Sequence, residues 1–179
     1  MKKINLKTKI LVATVGLSLT GAAILPQTTA FASQNSAKLD FSKVQDIALD
    51  EAKEGKVTQV ELKGKKNKPI YEVKVLTDTT EKEYKIDGNS GKVLRSETED
   101  TSNDKEDVAL SKATPKLSLN DATKKAKEKY AKAKVREVSF DKENNKEIYE
   151  VKLLNGNKKV KLVLDANSGE ILSEKTKTK

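Results

Sequence analysis

The sequence predicts an α+β protein built from two tandem repeats, each one helix packed on a small antiparallel β-sheet. Displaced by 78 residues, Leu39–Leu94 aligns on Leu117–Leu172 without a gap, and 18 of 56 positions are identical. A repeat of this length is a whole folding unit copied, not one turn of a short solenoid. Within each copy the apolar residues recur first at helical spacing and then at every second position, which gives the order helix, then strands. Asp-x-Asn-Ser-Gly recurs at the same place in both copies and marks a tight turn before the last strand.

The first 32 residues precede the repeats and have the form of a secretory signal. Lys2, Lys3, Lys7 and Lys9 form a basic head, and Ile10 to Leu25 is apolar. Pro26 ends that run, and Ala30-Phe31-Ala32 supplies a small-x-small cleavage site. Cleavage is expected between Ala32 and Ser33. The apolar run is shorter than the ~20 residues a spanning helix needs, so no membrane span is expected after cleavage. The chain has no cysteine, so neither a lipid anchor at the cleavage site nor a disulfide framework is available, and each module must hold by core packing. A lysine-rich leader on a cysteine-free chain fits a secreted or wall-associated protein of a Gram-positive bacterium.

In the first repeat, residues 39–97, Phe41, Val44, Ile47, Ala48 and Ala52 make the apolar stripe of a helix, with Asp40 as its N-cap. Val60 and Leu62 then alternate with polar residues, as do Tyr71, Val73 and Val75, while Glu72 and Lys74 fall on the opposite face. Such alternation marks a sheet with one face on the core and one in water. A third strand carries Tyr84 and Ile86, and a short fourth one Val93-Leu94. The second repeat, residues 117–174, repeats the order. Leu119, Ala122, Ala126 and Tyr130 form the stripe, and Ser118 with Asp121 forms a capping box. Val138 and Phe140, then Tyr149, Val151 and Leu153, then Val160, Leu162 and Leu164, and last Ile171-Leu172 form the strands. Residues 98–116 are acidic and polar apart from Val108-Ala109-Leu110, and a solvated linker is expected there. Residues 175–179 form a Lys-rich tail. A module of ~60 residues buries only ~60% of its unfolded surface, so each would be marginal alone.

Composition removes several classes of function. With neither His nor Cys, there is no Ser-His-Asp triad, no Cys-His dyad and no His-ligated zinc. The remaining carboxylates alternate with lysines on solvent-facing positions, not in a converging cleft, so no enzyme activity, catalytic residue, cofactor or metal is expected. The Asp-x-Asn-Ser-Gly turns have oxygen ligands at alternate positions, but twelve-residue loops counted from Asp87 and Asp165 end on Thr98 and Thr176, where calcium needs a Glu. They are expected to be turns. The formal charge is +9, but four of the 36 bases lie in the leader, leaving 32 against 27 acids. Repeat one is balanced, with 12 bases and 12 acids, and repeat two has 13 against 10. Mixed charge and seven aromatics without Trp give neither a nucleic-acid footprint nor a stacking platform.

The ordered set Gly55-Lys56-Val57, Ile70–Lys74 and Asp87–Leu94, met again as Ala133-Lys134-Val135, Ile148–Lys152 and Asp165–Leu172, resembles the PepSY domain. The resemblance covers both repeats and implies a helix on an antiparallel sheet. Such modules occur in propeptides of secreted metallopeptidases, in a spore-coat germination protein and as stand-alone exported proteins, and the implied role is non-catalytic binding of a peptidase. No peptidase domain follows within the 179 residues, so an extracellular or wall-associated peptidase, inhibited or chaperoned, would be bound in trans. The face carrying Glu72, Lys74, Glu150 and Lys152 is the candidate partner surface. The alternative expectation is a non-inhibitory envelope protein held on anionic wall polymers by the basic second repeat and tail, with Lys124, Lys125, Lys127, Lys129 and Lys132 along its helix.

Overall fold

The computed structural model describes residues 9–10, 37–65 and 67–178; the signal cleavage position Ala32/Ser33 lies outside them. Helix α1, Phe41–Ala52, begins where Asp40 accepts a hydrogen bond from the Lys43 N–H, and buries Phe41, Val44, Ala48 and Ala52. It packs on an antiparallel meander of β2 (Lys56–Lys65), β3 (Lys68–Leu76), β4 (Thr80–Asp87) and β5 (Val93–Asp100). The second repeat has α3 (Leu119–Lys129) on β6 (Lys134–Glu143), β7 (Lys146–Asn155), β8 (Lys158–Asp165) and β9 (Ile171–Thr178). The expected Ser118–Asp121 capping box is formed reciprocally at the start of α3.

The two meanders join into one sheet, in the order β1-β5-β4-β3-β2-β6-β7-β8-β9, where β1 is the pair Lys9–Ile10 lying antiparallel on β5. The joint between repeats is the pairing of β2 with β6, Gln59 opposite Ser139, Val60 opposite Val138 and Glu61 opposite Glu137. Val60 and Val138 are equivalent positions in the two copies, so they meet across a pseudo-two-fold axis. Above them the helices touch: Gln45 Nε2 donates to Asn120 Oδ1 at 2.9 Å and Asn120 Nδ2 to Ser42 Oγ at 3.2 Å. Val44, Val60, Val73, Val138 and Val151, all fully buried, belong to a single core beneath α1 and α3. Two modules that would each be marginal alone thus share one interior.

Three local expectations change. Residues 98–116 are not a bare solvated linker: β5 runs on to Asp100, and helix α2 follows over Lys105–Lys112. Asp104 caps α2 by accepting from the N–H groups of Glu106 and Asp107, acids fill its first turn and Lys112 its last, so the acidity that suggested solvation is helix-terminus chemistry. Its one buried residue, Leu110, is 9% exposed and joins the core. Residues 175–179 are likewise not a free tail up to Thr178, because β9 continues that far with Lys175 opposite Lys161 and Lys177 opposite Lys159. The fourth strands are therefore eight residues each, not two. Their outer halves are polar on both faces, so backbone pairing holds them and hydrophobic alternation does not mark them.

Candidate functional site: the open face of the sheet

The Tyr-Glu-Val-Lys segments divide their side chains between the two faces as the alternation requires. Tyr71 and Tyr149 point under the helices, and their hydroxyls donate to the carbonyls of Leu39 at 2.7 Å and Leu117 at 2.6 Å. Each thereby ties the segment leading into a helix to the centre of the sheet. Burial pushes both phenols up to about 12, because a phenolate there would lose its water. The Asp turns are equally matched. Asp87 Oδ1 accepts from the N–H groups of Asn89 and Ser90 and from the Ser90 hydroxyl, at 2.8 to 3.0 Å. Asp165 does the same with Asn167 and Ser168. These bonds hold both carboxyls below the usual aspartate range, the Ser90 and Ser168 N–H groups contributing most. Gly91 and Gly169 close the turns at φ of 76° and 75°. The carboxylates are occupied in building a turn.

Glu72, Lys74, Glu150 and Lys152 all lie on the face opposite α1 and α3, within a lattice of ion pairs. Glu72 bridges Lys63 at 2.5 Å and Lys85 at 3.3 Å, and Lys74 pairs with Glu81 at 2.7 Å. Glu150 holds Lys161 and, at 3.4 Å, Lys152, which also reaches Glu137 at 2.9 Å. The carboxylates are well covered, with Glu72 at 19%, Glu150 at 18% and Glu137 at 13% exposure. Hydrogen bonds from lysine hold Glu72 below the usual glutamate range against the opposing effect of burial.

Three of the four expected residues come together. Lys74, Glu150 and Lys152 line one shallow groove of about 290 Å³ over the joint between repeats, together with Glu81, Glu137 and Leu110 of α2. Glu72 stands outside it. The alternation identified the face, but not Glu81 and Glu137, which join the groove because β2 pairs with β6. The one sequence signal for α2 at this rim was the isolated apolar patch Val108-Ala109-Leu110. Lys56 of the Gly-Lys-Val segment has a specific task here: its Nζ donates to the carbonyls of Leu110 at 3.2 Å, Ser111 at 3.0 Å and also Ala113. A cation on the last carbonyls of a helix satisfies orphan acceptors and opposes the helix dipole. Burial lowers the Lys56 pKa, with Glu147 and Asp78 acting the other way. Among the described residues no group of three or more Asp or Glu could hold a metal ion, and no helix is long and apolar enough to cross a membrane.

Fold and site define a class: tandem α+β modules joined through one sheet, with an ion-paired open face. The chain belongs to the PepSY family, whose model, "Peptidase propeptide and YPEB domain", matches residues 38–97 and again 116–175. Among solved structures, a candidate lipoprotein from Clostridium difficile 630 is similar at 25% identity and a TM-score of 0.54, over 79% of this chain and 95% of that one. The Bacillus megaterium YpeB C-terminal domain is aligned at 15% identity and a TM-score of 0.31, over 80% of this chain and 67% of that one. No curated protein matches the chain significantly.

Proposed function

We propose that this chain is an exported, non-catalytic binding protein that engages an extracellular or wall-associated peptidase in trans and restrains or chaperones it. The observation that carries the reading is the family match itself, which covers both modules with a domain described as a peptidase propeptide. The shared sheet supports it, because two modules in one sheet present a continuous polar face with Lys74, Glu150 and Lys152 around the central groove. A face whose charges are already paired presents a fixed pattern to a partner, and its rim residues govern specificity more than raw affinity. The test is to incubate the exported protein with the peptidases secreted by the same organism and follow a small fluorogenic substrate. A changed rate and co-purification with one peptidase are expected. If no peptidase is slowed, activated or captured, the reading is wrong.

One observation favours a second reading, retention on anionic wall polymers. Lys158, Lys159, Lys161, Lys175 and Lys177 gather on β8 and β9, at one end of the sheet. Retention of this kind is screened by salt, so moderate salt should release the protein from isolated walls. A protein that stays bound in high salt would exclude it.

A further inference from the structure

The two ends of the sheet carry opposite charge at equivalent positions. In repeat one, Glu83 faces Glu97 and Glu81 faces Glu99 across β4 and β5. In repeat two the same four positions are Lys161 facing Lys175 and Lys159 facing Lys177 across β8 and β9. Like charges directly opposite each other on antiparallel strands are unfavourable, and in repeat one neighbouring cations offset part of this, Arg95 pairing with Glu97 at 2.8 Å and Lys74 with Glu81 at 2.7 Å. Here the like charges stand on the outermost long strands of the sheet, acidic at one end and basic at the other. Each end is the electrostatic complement of the other.

Backbone geometry agrees with charge. All pairings in the sheet are antiparallel, and β5 and β9 are separated by an even number of strands, so they run in opposite directions. A second molecule placed beside the first therefore brings β9 against β5 antiparallel, with the helices of both on the same side. The outer edge of β5 already accepts a strand: the chain's own Lys9–Ile10 lies there, Lys9 opposite Glu99 and Ile10 opposite Thr98. That segment belongs to the leader expected to be removed on export.

From these features we infer that exported molecules associate edge to edge, β9 of one copy adding to β5 of the next, with Lys175 opposite Glu99 and Lys177 opposite Glu97. In the precursor Lys9–Ile10 occupies this edge at Thr98 and Glu99, so assembly is confined to the exported chain. Like edges repel, β5 from β5 and β9 from β9, so only the unlike pairing is favoured. It is a head-to-tail contact, which leaves a free β5 and a free β9 at the ends and allows growth beyond two copies. The inference is independent of the peptidase reading, which needs only the open face.

The test is sedimentation velocity on the exported protein from culture, across protein concentration, at low salt and at about 0.5 M, where surface charges are largely screened. Expected is a mass that rises with concentration at low salt and returns to the monomer at high salt. E97K/E99K and K175E/K177E should each abolish association. Mixed in equal amounts, the two variants should associate again, because each supplies the edge the other now needs. A wild-type protein that is monomeric at every concentration, association that survives both exchanges, or a mixture that stays monomeric would overturn the inference.

Discussion

Repeats one and two agree where the fold needs agreement and diverge at their outer strands. Both use an Asp or Ser helix cap, a tyrosine hydroxyl on the carbonyl two residues before the helix starts, and an aspartate that folds its own turn. Outside that set, Glu81, Glu83, Glu97 and Glu99 become Lys159, Lys161, Lys175 and Lys177, and Lys56 of repeat one anchors the further helix α2. The contrast separates positions that hold the module together from positions free to acquire a role. The former are buried or spend their polar groups on backbone; the latter are strand sites outside the core, half-buried as glutamates in repeat one and mostly exposed as lysines in repeat two, whose sign can invert without touching the core.

The joint between repeats belongs to both copies at once. Val60 and Val138 are fully buried and face each other across β2 and β6. Val138→Asp should destabilise the whole chain by more than about 4 kcal/mol, since it places an unpaired carboxylate in the core both repeats share. Urea unfolding of the wild type should be one cooperative transition reported alike by probes in either repeat. Two separate wild-type transitions would show that the repeats are coupled only loosely through their shared sheet.

The next largest contrast lies just before the first strand of each repeat. Gly55 has φ of 108°, and a Cβ there would sit 2.8 Å from the Leu76 carbonyl oxygen. Its counterpart is Ala133, buried and outside the residues with positive φ. Gly55→Ala should therefore cost about 1 to 3 kcal/mol through strain, while Ala133→Gly should cost about 0.5 to 1 kcal/mol through chain entropy. Equal losses in thermal or urea melts would mean that both repeats lead into their first strand with one backbone conformation after all.

The duplicate, both helices and the helix-facing half of each strand were legible in the sequence because burial enforces a period. Tyr71, Val73, Tyr149 and Val151 could not be read otherwise without exposing apolar side chains. The continuation of β5 and β9 was not legible, since Ser96 to Asp100 and Ser173 to Thr178 are polar on both faces and are held by backbone bonds that every residue type makes. Helix α2 was hidden by its charge, although Asp104 with Glu106 and Asp107 is a usable start signal. The groove was invisible for a different reason: Lys74 and Glu81 join Glu137, Glu150 and Lys152 through the β2–β6 pairing, and nothing local specifies which strand of one repeat meets which strand of the other.

The two tyrosines should behave alike. Tyr71→Phe and Tyr149→Phe each leave a carbonyl, Leu39 or Leu117, without its donor, and each should cost about 1 to 3 kcal/mol. Both phenols are raised to about 12 from 10.0, so the folded chain binds more protons than the unfolded one above pH 10. Their stabilising contribution is full below pH 10 and is lost as pH rises toward 12. Alkaline melts should show that loss in the wild type, less of it in either single variant and least in the double variant, which keeps the part due to Tyr84, raised by burial, and Tyr130, raised by its hydrogen bond to Glu174. A wild type indifferent to pH in this window would mean that the phenols are better solvated than their positions imply.

The smallest expected effect lies on the open face, where the repeats look alike but stand in different surroundings. Glu72 bridges Lys63 and Lys85, which also have Glu61 and Glu83 within 4 Å. Glu150 bridges Lys152 and Lys161, and Lys161 faces Lys175 on the next strand. Removing Glu72 leaves lysines that keep a carboxylate; removing Glu150 leaves Lys161 among other lysines. Both substitutions to Ala should cost less than about 1 kcal/mol, as partly exposed pairs do. Glu150→Ala should be the more costly at low salt, and the gap should close by about 0.5 M salt, where such interactions are screened. Urea melts of the two variants at both salt concentrations measure this directly. If Glu72→Ala is the worse of the two, or the order is indifferent to salt, the inverted charge of the second repeat has no energetic reach into its sheet.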